Sequence, residues 1–294
     1  MVILVKASKI AEFLDKELKG PDIEVEKPCS VKNLQPKCIT FAKKFSNDIL
    51  EQLVSNKQCL ALVTKEYEGK INCTRIVSDN PRLDFARVVS RFFQVNSKAG
   101  IAKTAILGEN VQIGEGVSIG EYAVIGDNVS IGNGTVIRNH VVIYDNTVIG
   151  DNCLIRSNTV IGEEGFGFER DEDQVPIRLP HLGKVVIGNN VEIGALNTIA
   201  RGTLDDTYIG DNVKTDDHVH IAHNVHVGKN TIITACSEIS GSTCIGANSW
   251  LAPNCSIMNG ISLGENVFVG LGAVVTKSVE SNSVVFGNPA MKLR

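Results

Sequence analysis

A mainly β chain, wound as a parallel solenoid behind a small N-terminal α/β domain, is the fold class the sequence predicts. Three observations predict it. An aliphatic residue recurs every six positions from Ile101 to Val275, with one shift of phase and one long interruption. Glycine is abundant, at 27 of 294 residues, and aromatic residues are scarce, at 5%. A chain of this length buries a sizeable core, so its small and β-branched side chains must fill something regular.

Residues 1–98 lack the repeat. Lys6 to Leu18 reads as an amphipathic helix with Ile10, Phe13, Leu14 and Leu18 on one face. Apolar stretches follow at Cys38–Phe41, Cys59–Val63 and Ile76–Val77, and a second helix spans Pro81 to Phe93 behind Asn80 as cap. Gln94 to Gly100 is the linker, so the second domain covers 99–294.

In that second domain eleven aliphatic residues keep strict phase from Ile101 to Ile161. The phase resumes at Ile187, Ile193 and Ile199, slips by four residues, and runs from Ile209 to Val275 with Thr215 as its polar exception. A period of six fits neither an amphipathic helix nor an alternating strand. It fits a short strand and a corner, three of which complete a triangular turn, so the 26 units make eight to nine coils. The aliphatic residue points inward, a small one sits beside it, and Gly, Asn or Asp takes the corner. Most of these aliphatic residues are therefore core and carry no chemistry. The segment 162–186 cannot continue the coil and should loop out. With Phe166 and Phe168 around Gly167 it reads as a binding lid.

Charge narrows the function. Lys and Arg number 29 against 33 Asp and Glu, for a net −4, which excludes a globally basic nucleic-acid binder. No run of 18 apolar residues could form a transmembrane helix, and the start MVILVKASKI does not read as a signal peptide. The eight cysteines are scattered without a CxxC, which reads as reduced thiols in a cytoplasmic protein.

Four of the six histidines, His218, His220, His223 and His226, fall within nine residues. A tolerant polar face, a metal site and a general base in a groove all fit such a cluster. His220 and His226 are six apart and should diverge on different faces. Gly241 lies eighteen residues after His223, one coil above it, and should leave room for a substrate and expose a backbone N–H. A base beside an exposed N–H suits acyl transfer, one taking the proton and the other holding the oxyanion. Asp216 would orient the imidazole where a neighbouring face or subunit brings it close.

Several stretches carry a resemblance: CITFAKK around Phe41, NPRLDFARV from Asn80, IGEEGFGF from Ile161, HLGKVVIGNNVEIGALNTIARGTLDDTYIG from His181, and VKTDDHVHIAHNVHVG. Together they resemble the UDP-3-O-acylglucosamine N-acyltransferases of the lipid A pathway, within the hexapeptide-repeat superfamily. That resemblance implies a left-handed parallel β-helix, a homotrimer with grooves between subunits, and an N-terminal domain that holds the uridine. It implies a catalytic set of His223, Asp216 and Gly241. It implies substrate contacts at Phe41, Phe166, Phe168 and Asn224, and at Lys44 and Asn47, which stand where the family commonly has Asn and Tyr. Where the family often has a further His after Asn-Gly near the end of the coil, Asn259-Gly260 is followed by Ile261.

The expected reaction joins the amine of a nucleotide-linked amino sugar to an acyl group from acyl-CoA or acyl carrier protein as co-substrate, with no bound cofactor and no metal. The last twenty residues offer Lys277, Lys292 and Arg294 as cations. That is thin for docking an acidic carrier, and with the ending GNPAMKLR it points to a small acyl group on coenzyme A. Trp250, Met258 and Phe268, outside the core phase, could line a channel for a longer chain. Two rivals remain: a zinc hydratase of the gamma-carbonic-anhydrase kind, using His218, His223 and a third ligand near His181, and a silent nucleotide-sugar scaffold.

Overall fold

The computed structural model describes residues 4–42, 46, 49–51, 53, 58–94 and 98–293. Lys44 and Asn47 lie outside the described residues. The chain divides into two compact units, Met1–Asn96 and Ser97–Arg294.

In the first unit a five-stranded sheet runs in the order Leu18–Lys19, Thr74–Val77, Leu60–Val63, Cys38–Ala42, Lys27–Pro28. Every pairing is parallel except that of Leu18–Lys19. Parallel strands are buried on both faces, and their residues divide accordingly. Ile39, Leu60, Leu62 and Ile76 pack with Ile10 and Val88 from the helices. Cys38, Cys59, Ala61, Val63 and Cys73 face Leu53, Tyr67 and Ile71. The first helix is shorter than the pattern suggested, Ala7–Phe13, and Leu18 belongs to a strand. Asp15 adopts φ +53°, and the Lys16 and Asp15 N–H groups bond back to Ala11 and Glu12, closing the helix two turns in. The second helix runs Pro81–Val88 and continues as a π turn through Val89–Phe93; Asn80 accepts from the Leu83 N–H at its start.

The second unit is a three-sided solenoid. Within one coil Ser118–Ile119 lies on the first face, Val124–Ile125 on the second and Ser130–Ile131 on the third. Each then pairs in parallel with the strand eighteen residues on, so Ile119 stacks on Ile137, Ile125 on Ile143 and Ile131 on Ile149. The three sheets hold 11, 9 and 8 strands. The eleven include a closing antiparallel strand, Met291–Lys292. The phased residues form one continuous buried column, whereas Ile101 and Leu107 in the first coil remain exposed. Threonines inside are hydrogen-bonded: Thr135, Thr159 and Thr231 donate to the carbonyls of Gly150, Gly194 and Gly246. Thr215, the polar exception, accepts from the Gly194 N–H and donates to buried Asn197.

Two devices let the corners stack. The second corner residue is left-handed, as at Asn110, Asn128, Asn146 and Asn152 with φ of 53–63°, and Asn tolerates that region best among side-chain-bearing residues. The next coil's carboxylate or carboxamide then reaches down to cap a corner N–H: Asp127 accepts from Glu109, and Asp145 from Asp127, at 2.7 and 2.8 Å. Glycine after the core aliphatic residue serves a different need. A Cβ on Gly132 would lie 2.5 Å from the Gly150 carbonyl carbon and 2.6 Å from the Asp151 nitrogen.

Both irregularities leave from the corner between the second and third faces. The lid, 162–184, separates Val160–Ile161 from Val185–Ile187, and the four extra residues lie between Ile199 and Thr207. The ladder crosses both, because Val148 pairs with Val186 and Val186 with Tyr208. Within the lid Phe168–Arg170 and Pro176–Arg178 form a hairpin, and the coil strand resumes at Val185, just before the expected end of the loop.

Gly132→Ala should therefore destabilise the protein by about 1–3 kcal/mol, since backbone rather than a flexible side chain must yield. Gly69→Ala, where no atom lies within 4 Å, should stay within about 0.5 kcal/mol of the parent. Urea midpoints of the two variants test this; equal midpoints would show the corner to be loose.

Candidate active site

His223 stands at the corner between the second and third faces, one coil above the four-residue insertion and two above the root of the lid. Its geometry is fixed by Asn224. The Asn224 Oδ1 accepts from the Thr203 N–H at 3.0 Å, its Nδ2 donates to the Asp205 carbonyl, and its own N–H donates to Thr207 Oγ1. The atom that meets the Thr203 N–H must be the oxygen, and the same oxygen lies 3.0 Å from His223 Nδ1. An oxygen without hydrogen cannot donate, so Nδ1 carries the proton and Nε2 is left with its lone pair. The insertion thus sets the tautomer a general base needs.

Gly241 lies one coil above, where a Cβ would stand 2.6 Å from both Nε2 and Cε1 of His223. The missing side chain makes room for the imidazole itself and not, as the sequence suggested, for a substrate. Asn259, one coil further up, turns its Nδ2 to the Gly241 carbonyl at 2.5 Å instead of capping the N–H from above. Among the described residues no acceptor meets the Gly241 N–H.

The lid closes on this corner. His181 is buried, with Nδ1 bonded to the Leu179 carbonyl at 3.0 Å, and its ring meets His223 edge-on at 5.1 Å between centroids. A Cβ on Gly165 would fall 2.8 Å from His181 Nε2 and 3.1 Å from His223 Cβ; one on Gly167 would fall 2.8 Å from His181 Cε1. The GFGF glycines therefore let lid backbone lie directly on the imidazole pair. Phe166 is 86% exposed and packs on Phe168, 4.8 Å between centroids. Arg178 covers Phe168 and pairs with Glu164.

Other expected residues lie elsewhere. Asp216 is exposed at the corner between the first and second faces, a full face away from His223; within one chain it does not orient the imidazole, and Asn224 does. Asn224, expected to touch substrate, has its carboxamide engaged by His223, Thr203 and Asp205. His218 sits at the Asp216 corner, and His220 and His226 point outward from the second and third faces. The imidazole that meets His223 is that of His181, which the spacing could not place because the lid and the four-residue slip intervene. Among the described residues no group of three His, Cys, Asp or Glu side chains is arranged to hold a metal. Trp250 pairs with Phe268 in the ladder of the first face and Phe268 packs on Phe286, whereas Met258 lies one coil above Gly241 at the His223 corner, so one chain does not gather them into a channel.

In the N-terminal unit Phe41 packs on Phe85 at 4.7 Å and lines a cleft of about 400 Å³ with Pro28, Cys29, Ser30, Val31 and Thr40. The Thr40 hydroxyl is buried there without a partner among the described residues.

Residues 104–139, 128–163 and 206–241 match the family described as bacterial transferase hexapeptide (six repeats). A UDP-3-O-acylglucosamine N-acyltransferase of Campylobacter lari is 40% identical over 98% of this chain and 93% of its own length. The chain belongs to the UDP-3-O-acylglucosamine N-acyltransferase family. The Coxiella burnetii member is 32% identical over 97% of this chain and 89% of its own. A solved UDP-N-acetylglucosamine O-acyltransferase from Moraxella catarrhalis is 28% identical with a TM-score of 0.60, over 65% of this chain and 73% of that one. The equivalent protein from Acinetobacter baumannii aligns as well, over 66% and 73%. The solenoid is thus the left-handed parallel β-helix of these acyltransferases, and the UDP-3-O-acylglucosamine N-acyltransferase family places the His223 corner in an acyl-transfer enzyme.

Burial pushes the His181 imidazole below its ordinary pKa, and the neighbouring His223 adds to the shift. The unfolded chain takes up a proton near the usual histidine value that the folded state refuses until lower pH. Stability should be full above about pH 6.5 and decline as the pH falls below it. Melting temperatures between pH 7.5 and 5 should show a steeper loss in the parent than in His181→Gln; parallel curves would remove His181 from this linkage.

Proposed function

We propose that this chain transfers an acyl group from a thioester to the amine of UDP-3-O-acylglucosamine. The observation that carries the reading is the His223 corner: an imidazole with Nε2 bare and Nδ1–H anchored, under a glycine whose N–H meets no acceptor among the described residues. The amine nitrogen attacks the thioester carbonyl carbon and a C–N bond forms. The carbonyl oxygen takes the negative charge and accepts from the Gly241 N–H. The nitrogen, now cationic, gives a proton to His223 Nε2. Collapse of the adduct breaks the C–S bond, and the departing sulfur takes that proton back. Each role suits the group placed there: an imidazole with a bare Nε2 to take the proton and a fixed dipole at the developing oxyanion.

The rest of the molecule supports the substrates. The Phe41–Phe85 cleft, with a buried hydroxyl in its wall, suits the flat face and polar edge of a uracil. Phe166 and Phe168 offer apolar surface at the lid, and Met258 offers more one coil beyond Gly241. A homotrimer would bring another copy's Asp216 corner toward the His223 corner, which Asp216 cannot reach within its own chain; sedimentation showing only monomer would remove that role. Cytoplasmic residence is in keeping with eight cysteines outside any disulfide, and no described helix is long and apolar enough to cross a membrane.

The test is thiol release with UDP-3-O-acylglucosamine and UDP- and dTDP-amino sugars as acceptors, and short and long hydroxyacyl thioesters on coenzyme A and on acyl carrier protein as donors. Turnover should require the UDP-linked amine, and His223→Ala should lose roughly 10²–10⁴-fold. Near-parental turnover by His223→Ala, or zinc-dependent hydration of carbon dioxide without thiol release, would overturn the reading.

A further inference from the structure

His181 has no part in the reaction as described, yet it is 2% exposed and touches the base. Its Nδ1 faces the Leu179 carbonyl, an acceptor, so Nδ1 carries the proton and Nε2 holds a bare lone pair. That Nε2 is buried and meets no donor among the described residues. An acceptor buried without a donor is costly to keep. The Gly165 backbone lies against it, at a position where even a Cβ would intrude. Two imidazoles at one corner are therefore each locked with Nε2 bare, one by Leu179 and one by Asn224.

A primary amine is the nucleophile that needs two such acceptors. A sugar hydroxyl brings one hydrogen, and a single base removes it. An amine brings two, and one stays on nitrogen through addition, proton loss and collapse to become the N–H of the product amide. Two acceptors each about 2.9 Å from one tetrahedral nitrogen stand roughly 4.7 Å apart, and the two rings meet edge-on at this one corner, 5.1 Å apart between centroids. We propose that His181 Nε2 accepts the hydrogen that remains on the acceptor nitrogen, with Gly165 lifting from it as the substrate seats, so that the histidine pair selects an amine over a hydroxyl. The proposal rests on the acyl-transfer reading above. His223 moves a proton; His181 holds one in place, and that hydrogen bond strengthens as the nitrogen becomes cationic.

The expectation is a kcat effect. His181→Phe keeps a ring and removes the acceptor; it should lower kcat on the amine by roughly 10- to 100-fold, with KM nearly unchanged. His181→Gln puts a carbonyl oxygen near the place of Nε2 and should restore most of that loss. On the matched sugar carrying a hydroxyl in place of the amine, all three proteins should be alike, so the amine-to-hydroxyl ratio collapses in His181→Phe alone. A ¹⁵N spectrum of the unmutated protein provides a readout independent of any variant's folding: the bare Nε2 resonance of His181 should shift toward that of a hydrogen-bonded nitrogen when the amide product binds. Parental kcat in His181→Phe, equal losses in the Phe and Gln variants, or an unmoved Nε2 resonance with product bound would overturn the proposal while leaving acyl transfer intact. A parent that acylates the hydroxyl sugar and not the amine would overturn both.

Discussion

Every coil of the solenoid has to lay its corner backbone on the corner backbone eighteen residues earlier, and the rest of the molecule follows from that closeness. The strands are only two or three residues long and could not hold a sheet alone. Repeated in register, they make three parallel ladders around one column of Ile, Val and Leu. The corner must then be a turn that any coil can stack on. Left-handed Asn and Gly bend it, a carboxylate or carboxamide from above caps its N–H, and Gly leaves the gap into which the next corner settles.

The candidate site is the place where that economy is interrupted. At the His223 corner an imidazole occupies what would be the side-chain space of Gly241, and Asn259 binds the carbonyl instead of the N–H. An N–H that would be capped elsewhere is thereby left without an acceptor among the described residues. The residues of the four-residue insertion, which look like an error in the repeat, supply the Thr203 N–H and the Asp205 carbonyl that orient Asn224 and through it the His223 ring. Regular coils carry the stability, and two departures from regularity shape the candidate site.

Much of this was legible in the chain because a six-residue phase has one physical solution. The aliphatic residues from Ile113 to Val275, the looping-out of the segment after Ile161 and the stacking of Gly241 on His223 all follow from counting. What counting missed depends on contacts between segments with no fixed spacing. The role of Asn224 needed the insertion folded back upon it, and the neighbour of His223 proved to be His181, delivered by a loop that has no register. Asp216 does not reach His223 within one chain because seven residues span more than one face of the prism. Leu18 fitted a helical face, but Asp15 had already turned the chain.

The ladder from Val148 to Val186 has one further consequence. Hydrogen bonding runs along the stack and not along the chain, so the strands cannot register how many residues were spent at a corner between them. A corner is thus an address at which a segment of any length can be spliced while every core contact on either side is kept. Exchanging the 162–184 segment would leave the prism as it is and change only what the two imidazoles meet, so one scaffold could be turned from one nucleophile to another by a single graft.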